Sequence, residues 1–242
     1  MLRIRIDMPK DDRTAVCLVK AEQFKNLCDS ALSRHGYRID RSRPARYGFG
    51  VIAHPVHVSG PRTRRMFRIE RAWIGSTDPE VVRALSRITS EDLYEPSDVS
   101  GAGLDLRVAT ITEEPWHPAD AVAGYAISPI RVLQTTLGSP RGQSMCTFGP
   151  EFDQALNRTM ERRFGRPFHL HFVPDAAYVR LHRGEVKARM GVRSLPDGKI
   201  VALDGVVLPF LLAGPPKDIR DAFYSGLGSA TAQGFGWWDV SL

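Results

Sequence analysis

His35 stands among Arg34, Tyr37 and Arg38, directly after a stretch patterned as a helix. Imidazole exchanges a proton near neutrality, so a histidine in this setting can serve as general base or acid. Arginine beside it can meet negative charge that develops on a reacting group. The plainer alternative is a basic-patch histidine at a helix end, where the C-terminal dipole favours the charged ring. The other histidines carry less. His54-Pro-Val-His57 has the spacing of a metal pair, but no carboxylate or cysteine lies near it in sequence, and its proline argues against a helical pair. His169 and His171 fall on one side of an extended segment and need a third ligand that the sequence does not name. No Gly-x-Ser-x-Gly occurs, and no carboxylate pair has supporting context, so neither a metal nor a cofactor is expected.

The last segment is the other stretch with chemistry in it. Gly226-Leu-Gly-Ser-Ala-Thr-Ala-Gln-Gly-Phe-Gly236 packs Gly226, Gly228, Gly234 and Gly236 into one loop. Glycine accepts positive φ and lets backbone approach a neighbour closely, and consecutive N–H groups in such a loop can form an anion-binding nest. A dinucleotide fingerprint would have to open a helix inside a strand–helix–strand unit. Only six residues follow Gly236, and no Gly-Lys-Ser/Thr ends the loop, so the dinucleotide and P-loop readings both fail. Four glycines also exceed what a hairpin turn needs. Phe235, Trp237 and Trp238 can stack on an unpaired base; as ordinary strand residues, one tryptophan fills the core and the other shields a helix.

Charge points to a polyanion. The chain has 33 Lys+Arg against 27 Asp+Glu, a formal net charge of +6, and only six of the cations are lysines. Ten arginines lie between Arg34 and Arg71, against Asp40 and Glu70. Guanidinium binds phosphate through two parallel bonds and stacks on bases, and a cluster of this size reads as an electrostatic footprint. A GC-rich genome would account for part of the arginine bias. Residues 78–120 reverse the sign, with ten acids against Arg83, Arg87 and Arg107, so the charge is polarised along the chain. Three cysteines, an odd number without Cys-x-x-Cys spacing, suggest a reducing cytoplasm. No apolar run reaches the ~18 residues of a membrane helix.

The elements that must position these residues can be read in outline. Residues 2–7 alternate as a half-buried strand. Residues 19–33 form a helix with Phe24, Leu27, Cys28, Ala31 and Leu32 on one stripe, stopped at Gly36. Strands are expected over 48–58 and 66–74, a helix from Asp78-Pro79 to about residue 88, and a strand over 104–112. The connection over 59–65 is either a basic hairpin entering a groove or a solvated turn. The second half offers a strand over 125–134 and a helix over 150–163, with Phe152, Ala155, Leu156, Thr159 and Met160 inward. Strands follow over 168–173, 178–192 and 199–210, with Asp197-Gly198 as a turn. A helix over 216–224 and a strand over 236–241 close the chain. The first half is thus β-α-β-β-α-β, the ferredoxin-like order, and the second repeats it less clearly.

The pattern Gly-x-Gly, five residues, then Gly-Phe-Gly before a last strand resembles the C-terminal loop of the RAMP superfamily. In particular it resembles the CRISPR-associated endoribonucleases that cut precursor CRISPR RNA at its repeats. Ala126-Ile-Ser-Pro-Ile-Arg-Val132 is similar to the strand opening that family's C-terminal half, and Leu208-Pro-Phe-Leu-Leu-Ala-Gly214 to its strand running into the last helix. The likeness covers residues 122–242 well and 1–121 only in layout. It implies an α+β fold of two tandem ferredoxin-like (RRM-like) βαββαβ domains, 1–114 and 119–242, with Pro115-Trp-His-Pro118 as linker. It also implies cleavage at the 3′ base of a repeat hairpin by 2′-OH attack, without metal or cofactor, with the product retained. CRISPR repeat RNA and other CRISPR effector subunits are the implied partners. The family's catalytic histidine often comes from the first helix or the loop after it. That position falls on His35, with Tyr37 and Arg38 beside it as the other catalytic candidates, although the surrounding motif is not matched residue for residue. A subgroup that includes the type IV form has no usable histidine and acts through arginines or mainly holds the hairpin; Arg38 is then the residue of interest. The RNA-binding set is Arg34, Arg41, Arg43, Arg46, Arg62, Arg64, Arg65 and Arg68, together with Gly226, Gly228, Gly234 and Gly236. A non-catalytic RNA-binding subunit of the same superfamily is the main alternative, and a metal enzyme using His169 and His171 the alternative of another class.

Overall fold

The computed structural model describes residues 1–10, 15–17, 20–40, 46–58, 64–96, 103–134, 143–195, 197 and 199–240, with backbone alone for His57, Val58, Arg64 and Arg65. The chain divides into two compact units. The first comprises Met1–Pro115, Gly191–Ala202 and Ala232–Gly234; the second comprises Trp116–Met190, Leu203–Thr231 and Phe235–Leu242.

In the first unit β1 (Leu2–Asp7), α1 (Lys20–Arg34), β2 (Gly48–Val58), β3 (Arg64–Ser76), α2 (Pro79–Leu85) and β4 (Thr110–Glu113) follow in order. The sheet runs β2-β3-β1-β4, all antiparallel, with Ile4 opposite Ile74 and Ile6 opposite Ile111. This is the ferredoxin-like arrangement: β1 crosses over through α1 to β2, and β3 returns between them. The expected stripe of α1 is buried, and Gly36 ends the helix at φ 86°. Asp78 caps α2, its carboxylate accepting from the N–H groups of Glu80 and Val81, and Pro79 needs no partner for its missing N–H. The helix ends at Leu85, short of residue 88.

Residues 104–112 do not form one strand. Leu104–Asp105 pairs with Tyr94–Glu95 as a separate ladder, and only Thr110–Glu113 joins the main sheet. The break is an Asx turn: Asp105 accepts from the Arg107 backbone N–H at 3.1 Å and from its guanidinium at 2.7 and 3.0 Å. The connection over 59–65 lies largely outside the described residues.

The second unit repeats the order with β5 (Ala121–Ala126), α3 (Pro150–Phe164), β6 (His171–Pro174) and an inserted α4 (Ala176–Leu181); after a hairpin of β7 (Lys187–Ser194) and β8 (Ile200–Val206), whose Gly191–Ala202 part groups with the first unit, come β9 (Pro209–Ala213), α5 (Pro216–Ser225) and β10 (Trp238–Val240). Its sheet runs β6-β9-β5-β10. The chain is therefore two tandem ferredoxin-like units. α3 buries Phe152, Ala155, Leu156 and Met160, while Thr159 is half-buried and returns its hydroxyl to the Ala155 carbonyl at 2.8 Å. Trp116, in the expected linker, packs on Phe223 at 5.0 Å between ring centroids.

Strand boundaries in this half differ from expectation, the last strand among them at Trp238–Val240 and not 236–241. The opening strand is Ala121–Ala126, not 125–134; Pro129 supplies no N–H, and beyond it Ile130 makes only an isolated bridge to Val206. Residues 178–192 are not one strand, because Asp175 caps a helix by accepting from Tyr178 N–H at 2.8 Å. Arg183 and Gly184 then turn the chain at positive φ into β7. Residues 168–173 contribute only their end to β6, and 199–210 splits into β8 and β9.

Gly124 sits where β5 passes beneath two rings: an added Cβ would stand 2.8 Å from the Trp238 ring and 3.0 Å from that of Phe210. Gly124→Val is expected to cost about 1–3 kcal/mol through overpacking. Urea unfolding checks this, and an unchanged midpoint would mean that the Phe210–Trp238 layer yields freely.

Candidate functional site

α1 ends at Arg34, and the next residue is His35. Its Nε2 lies 2.9 Å from Asp92 Oδ2. Asp92 closes a one-turn 3-10 helix (Ser90–Asp92), and the same oxygen accepts the Thr89 N–H at 2.9 Å and the Thr89 hydroxyl at 3.1 Å. The His35 side chain keeps 22% of its exposure and that of Asp92 16%. Burial alone would raise the Asp92 carboxyl; the Thr89 and His35 hydrogen bonds outweigh it and hold it below the ordinary carboxylate value. Arg34 braces the same turn, donating to the carbonyls of Asp92 at 2.7 Å and Tyr94 at 2.9 Å. Asp92 was not among the expected site residues. It is 57 positions from His35, and the only sequence signal for it was the capping pattern Thr89-Ser-Glu-Asp92.

The neighbours of His35 in sequence go elsewhere. Tyr37 is half-buried against the first core, and burial, with Asp78 nearby, pushes its phenol above the usual value. Arg38 is exposed and bonds no described residue. Arg46 pairs with Asp78 at 2.9 Å and Glu80 at 3.6 Å, at the start of α2. Arg68 is half-buried on β3, without a side-chain partner among the described residues. Arg64 and Arg65 lie on β3 with only their backbone described; Arg41, Arg43 and Arg62 lie outside the described residues. The basic and acidic stretches are thus partly paired with each other, through Arg46–Asp78 and His35–Asp92.

All four glycines of the C-terminal loop have positive φ, from 67° to 84°, as does Ala230. Two of them are required by protein backbone. A Cβ at Gly228 would stand 2.5 Å from the Arg131 carbonyl, and one at Gly236 would overlap the Leu227 carbonyl. Several of the loop's amides are spent inside the protein: Leu227 N–H donates to Gly236 O, Ser229 N–H to Arg131 O and Gly236 N–H to Pro129 O, each at 2.8 Å. Gly234 groups with the first unit, where an added Cβ would stand 2.7 Å from the Phe49 ring. Arg163 clamps the loop. Its guanidinium donates to the carbonyls of Ser225 at 2.7 Å, Gly226 at 2.9 Å and Gly228 at 3.0 Å. Burial lowers Arg163 to about 10, so it stays charged at neutral pH. Phe235, Trp237 and Trp238 are fully buried, which corrects the expectation of a ring offered to an unpaired base: all three are core residues.

His54 pairs with Glu70 at 2.5 Å, across the β2–β3 ladder, and the His57 side chain is not described. His171 bonds Asp153 at 2.8 Å, and the His169 backbone N–H donates to Asp218 at 2.9 Å. Among the described residues no three His, Cys, Asp or Glu side chains are grouped to hold a metal, and no helix is long and apolar enough to cross a membrane.

The family model for the C-terminal region of the CRISPR-associated protein Cas6 matches residues 115–240, more than half of the chain. The chain belongs to the Cas6 family. The match spans the second ferredoxin-like unit from its entry at Trp116 to β10, including the glycine loop. Solved structures with the same fold include a Cas6-related protein from Pyrococcus furiosus, 15% identical, with a TM-score of 0.73 over 99% of this chain and 98% of that one. A RAMP protein that binds different RNA substrates is also 15% identical, with a TM-score of 0.69 over the whole of both chains. A Cas6 in its product complex is 12% identical, with a TM-score of 0.56 over 99% and 98%. No curated protein sequence matches the chain. At these identities the likeness is one of fold, and within this Cas6 fold the side chains must speak for themselves.

Two outcomes follow for this Cas6 chain. Arg163→Met leaves three carbonyls of the glycine loop without their donor, at about 1–3 kcal/mol for each group left unsatisfied. Urea unfolding should show the loss, and hydrogen exchange should quicken at Leu227, Ser229 and Gly236; unchanged exchange would mean that the loop holds itself. Asp92 titrates lower in the folded than in the unfolded chain. Its contribution is therefore complete above the ordinary value of about 3.9 and drains away as pH falls through the lower folded value. Asp92→Asn should flatten that part of the stability–pH curve, and an identical curve would sink the assignment.

Proposed function

We propose that this protein binds the stem-loop of a CRISPR repeat RNA and cuts it at the 3′ base of the hairpin, without a metal, keeping the product. Family membership supports repeat RNA as the substrate class. The observation that carries the catalytic reading is the His35 imidazole: half-buried at the end of α1, held through Nε2 by Asp92, with no described residue bonding Nδ1. The attacking 2′-OH belongs to the RNA, so the protein needs only to remove its proton, hold the phosphate in line and let the 5′-oxygen leave. Arg38, exposed three residues on, is the cation assigned to the phosphate. Tyr37, two residues after His35, completes the proposed catalytic set. Phosphate contacts from exposed arginines set the register, and an A-form stem is read through backbone and 2′-OH. Other CRISPR effector subunits would join through the retained RNA.

His35→Ala is expected to abolish cutting of repeat RNA in EDTA while leaving hairpin affinity nearly intact; the wild-type protein should leave a 2′,3′-cyclic phosphate on the upstream fragment. If His35→Ala cuts normally and Arg38→Ala does not, catalysis belongs to the arginines. If the wild-type protein binds and never cuts, it is a holder of RNA. Contact with about six phosphates lowers affinity roughly a thousandfold between 50 and 200 mM salt. Arg38→Ala with Arg68→Ala should reduce the salt slope by about two, and an unchanged slope would remove both from the interface.

A further inference from the structure

We propose that Asp92 is the positioning residue of the reaction: it fixes His35 as the Nε2–H tautomer, so that Nδ1 is the basic nitrogen offered to the 2′-OH. This rests on the reading of His35 as general base. A neutral imidazole carries its proton on one nitrogen, and the partner of one nitrogen decides the state of the other. Nε2 stands 2.9 Å from a carboxylate oxygen that also takes two hydrogen bonds from Thr89. An ionised carboxylate can only accept, so Nε2 must be the donor. Nδ1 then has a lone pair and no described partner.

The turn that carries Asp92 is itself held. Arg34 bonds two of its carbonyls, and Arg107 lies over the Tyr94 ring at 4.6 Å. Among the described residues Asp92 is the one charged group that bonds the imidazole; Arg34 bonds the carbonyls of the turn instead. A carboxylate locked in this way has a second effect. When Nδ1 takes the proton, the imidazolium forms against a fixed negative charge, which is stabilisation with no reorganisation at the moment of reaction. The step balances: the 2′-OH proton passes to Nδ1, the O2′–P bond forms, the P–O5′ bond breaks, and the leaving 5′-oxygen takes a proton from water. The imidazolium later returns its proton to solvent.

Nitrogen-15 NMR of the His35 ring in the intact protein reads the tautomer without reference to activity. Nε2 protonated and Nδ1 bare is expected in the wild-type protein, with the two tautomers mixed in Asp92→Asn. In single-turnover cleavage of repeat RNA, Asp92→Asn is expected to slow the chemical step by about a hundredfold, within the range of a general base. Kd for the hairpin should stay within about twofold. A wild-type ring protonated on Nδ1 overturns the proposal, whatever His35 does. So does Asp92→Asn cutting at the wild-type rate while His35→Ala is dead, and in that case His35 remains the base. If His35→Ala also cuts normally, the general-base reading fails, and the role of Asp92 in the reaction fails with it. A folded Asp92→Asn whose slower cutting is matched by an equal loss of RNA affinity also overturns the proposal, because a positioning group acts on the rate and not on binding.

Discussion

A charged guanidinium on the last turn of α3 is where the second unit closes. Arg163 finds no carboxylate there among the described residues; it bonds three carbonyls of the segment that leaves α5. Those carbonyls belong to helix-end and loop residues that have no intrahelical donor to receive. Burying a charge is tolerated only when hydrogen bonds replace its water, and five fixed donors on one planar group suit a set of converging carbonyls in a way that a lysine would not. The clamp explains why the loop is glycine-rich. The backbone must curl at positive φ to present several carbonyls to one side chain. It must also run so close to Arg131 that a Cβ at Gly228 would stand 2.5 Å from the Arg131 carbonyl. β10 can then add to the sheet beside β5 and bring both tryptophans into the core.

The glycines therefore have a reason that comes before any ligand. Read from sequence, they could cradle a phosphate or pack against protein, and nothing in their spacing decided between the two. The hydrogen bonds lean toward protein. Leu227, Ser229 and Gly236 spend their amides on carbonyls of the same unit, and a nest needs free amides on one concave side.

What was legible in the sequence follows the range of the forces involved. α1 and α3 were read nearly to their ends, because a 3.6-residue stripe with Phe24, Leu27 and Leu32, or Phe152, Leu156 and Met160, is written in neighbouring residues. So was the ferredoxin-like order, which needs only the sequence of elements. The strand expected over 178–192 failed because one side chain, Asp175, turns Ala176–Leu181 into a helix against the β-preference of Tyr178 and Val179. The strand over 104–112 failed for a related reason, an Asp105–Arg107 turn. Both are side chain-to-backbone bonds of two or three residues' reach, which a periodicity cannot register. His35 could be proposed because its arginine neighbours are adjacent in sequence. Asp92 could not, since the pairing exists only after the first unit has folded.

The same limit applies to charge. Ten arginines in one stretch looked like a uniform footprint, yet folding sorts them into different occupations. Arg34 braces the 3-10 turn, Arg46 pairs with Asp78 and Glu80, and Arg71 pairs with Asp7 at 2.6 Å and leans over the Trp73 ring at 5.8 Å. Arg38 and Arg68 have no such employment among the described residues. A guanidinium already bonded to the protein can still add to the long-range field that steers a polyanion inward. It is less able to supply the bidentate contact that fixes register, because those donors are taken. Guanidinium groups bonded within the protein and those left without a partner among the described residues are thus different arginines. The acidic stretch over 78–120 makes that difference possible, supplying the carboxylates that hold Arg46 and His35 in place and, among the described residues, none to Arg38.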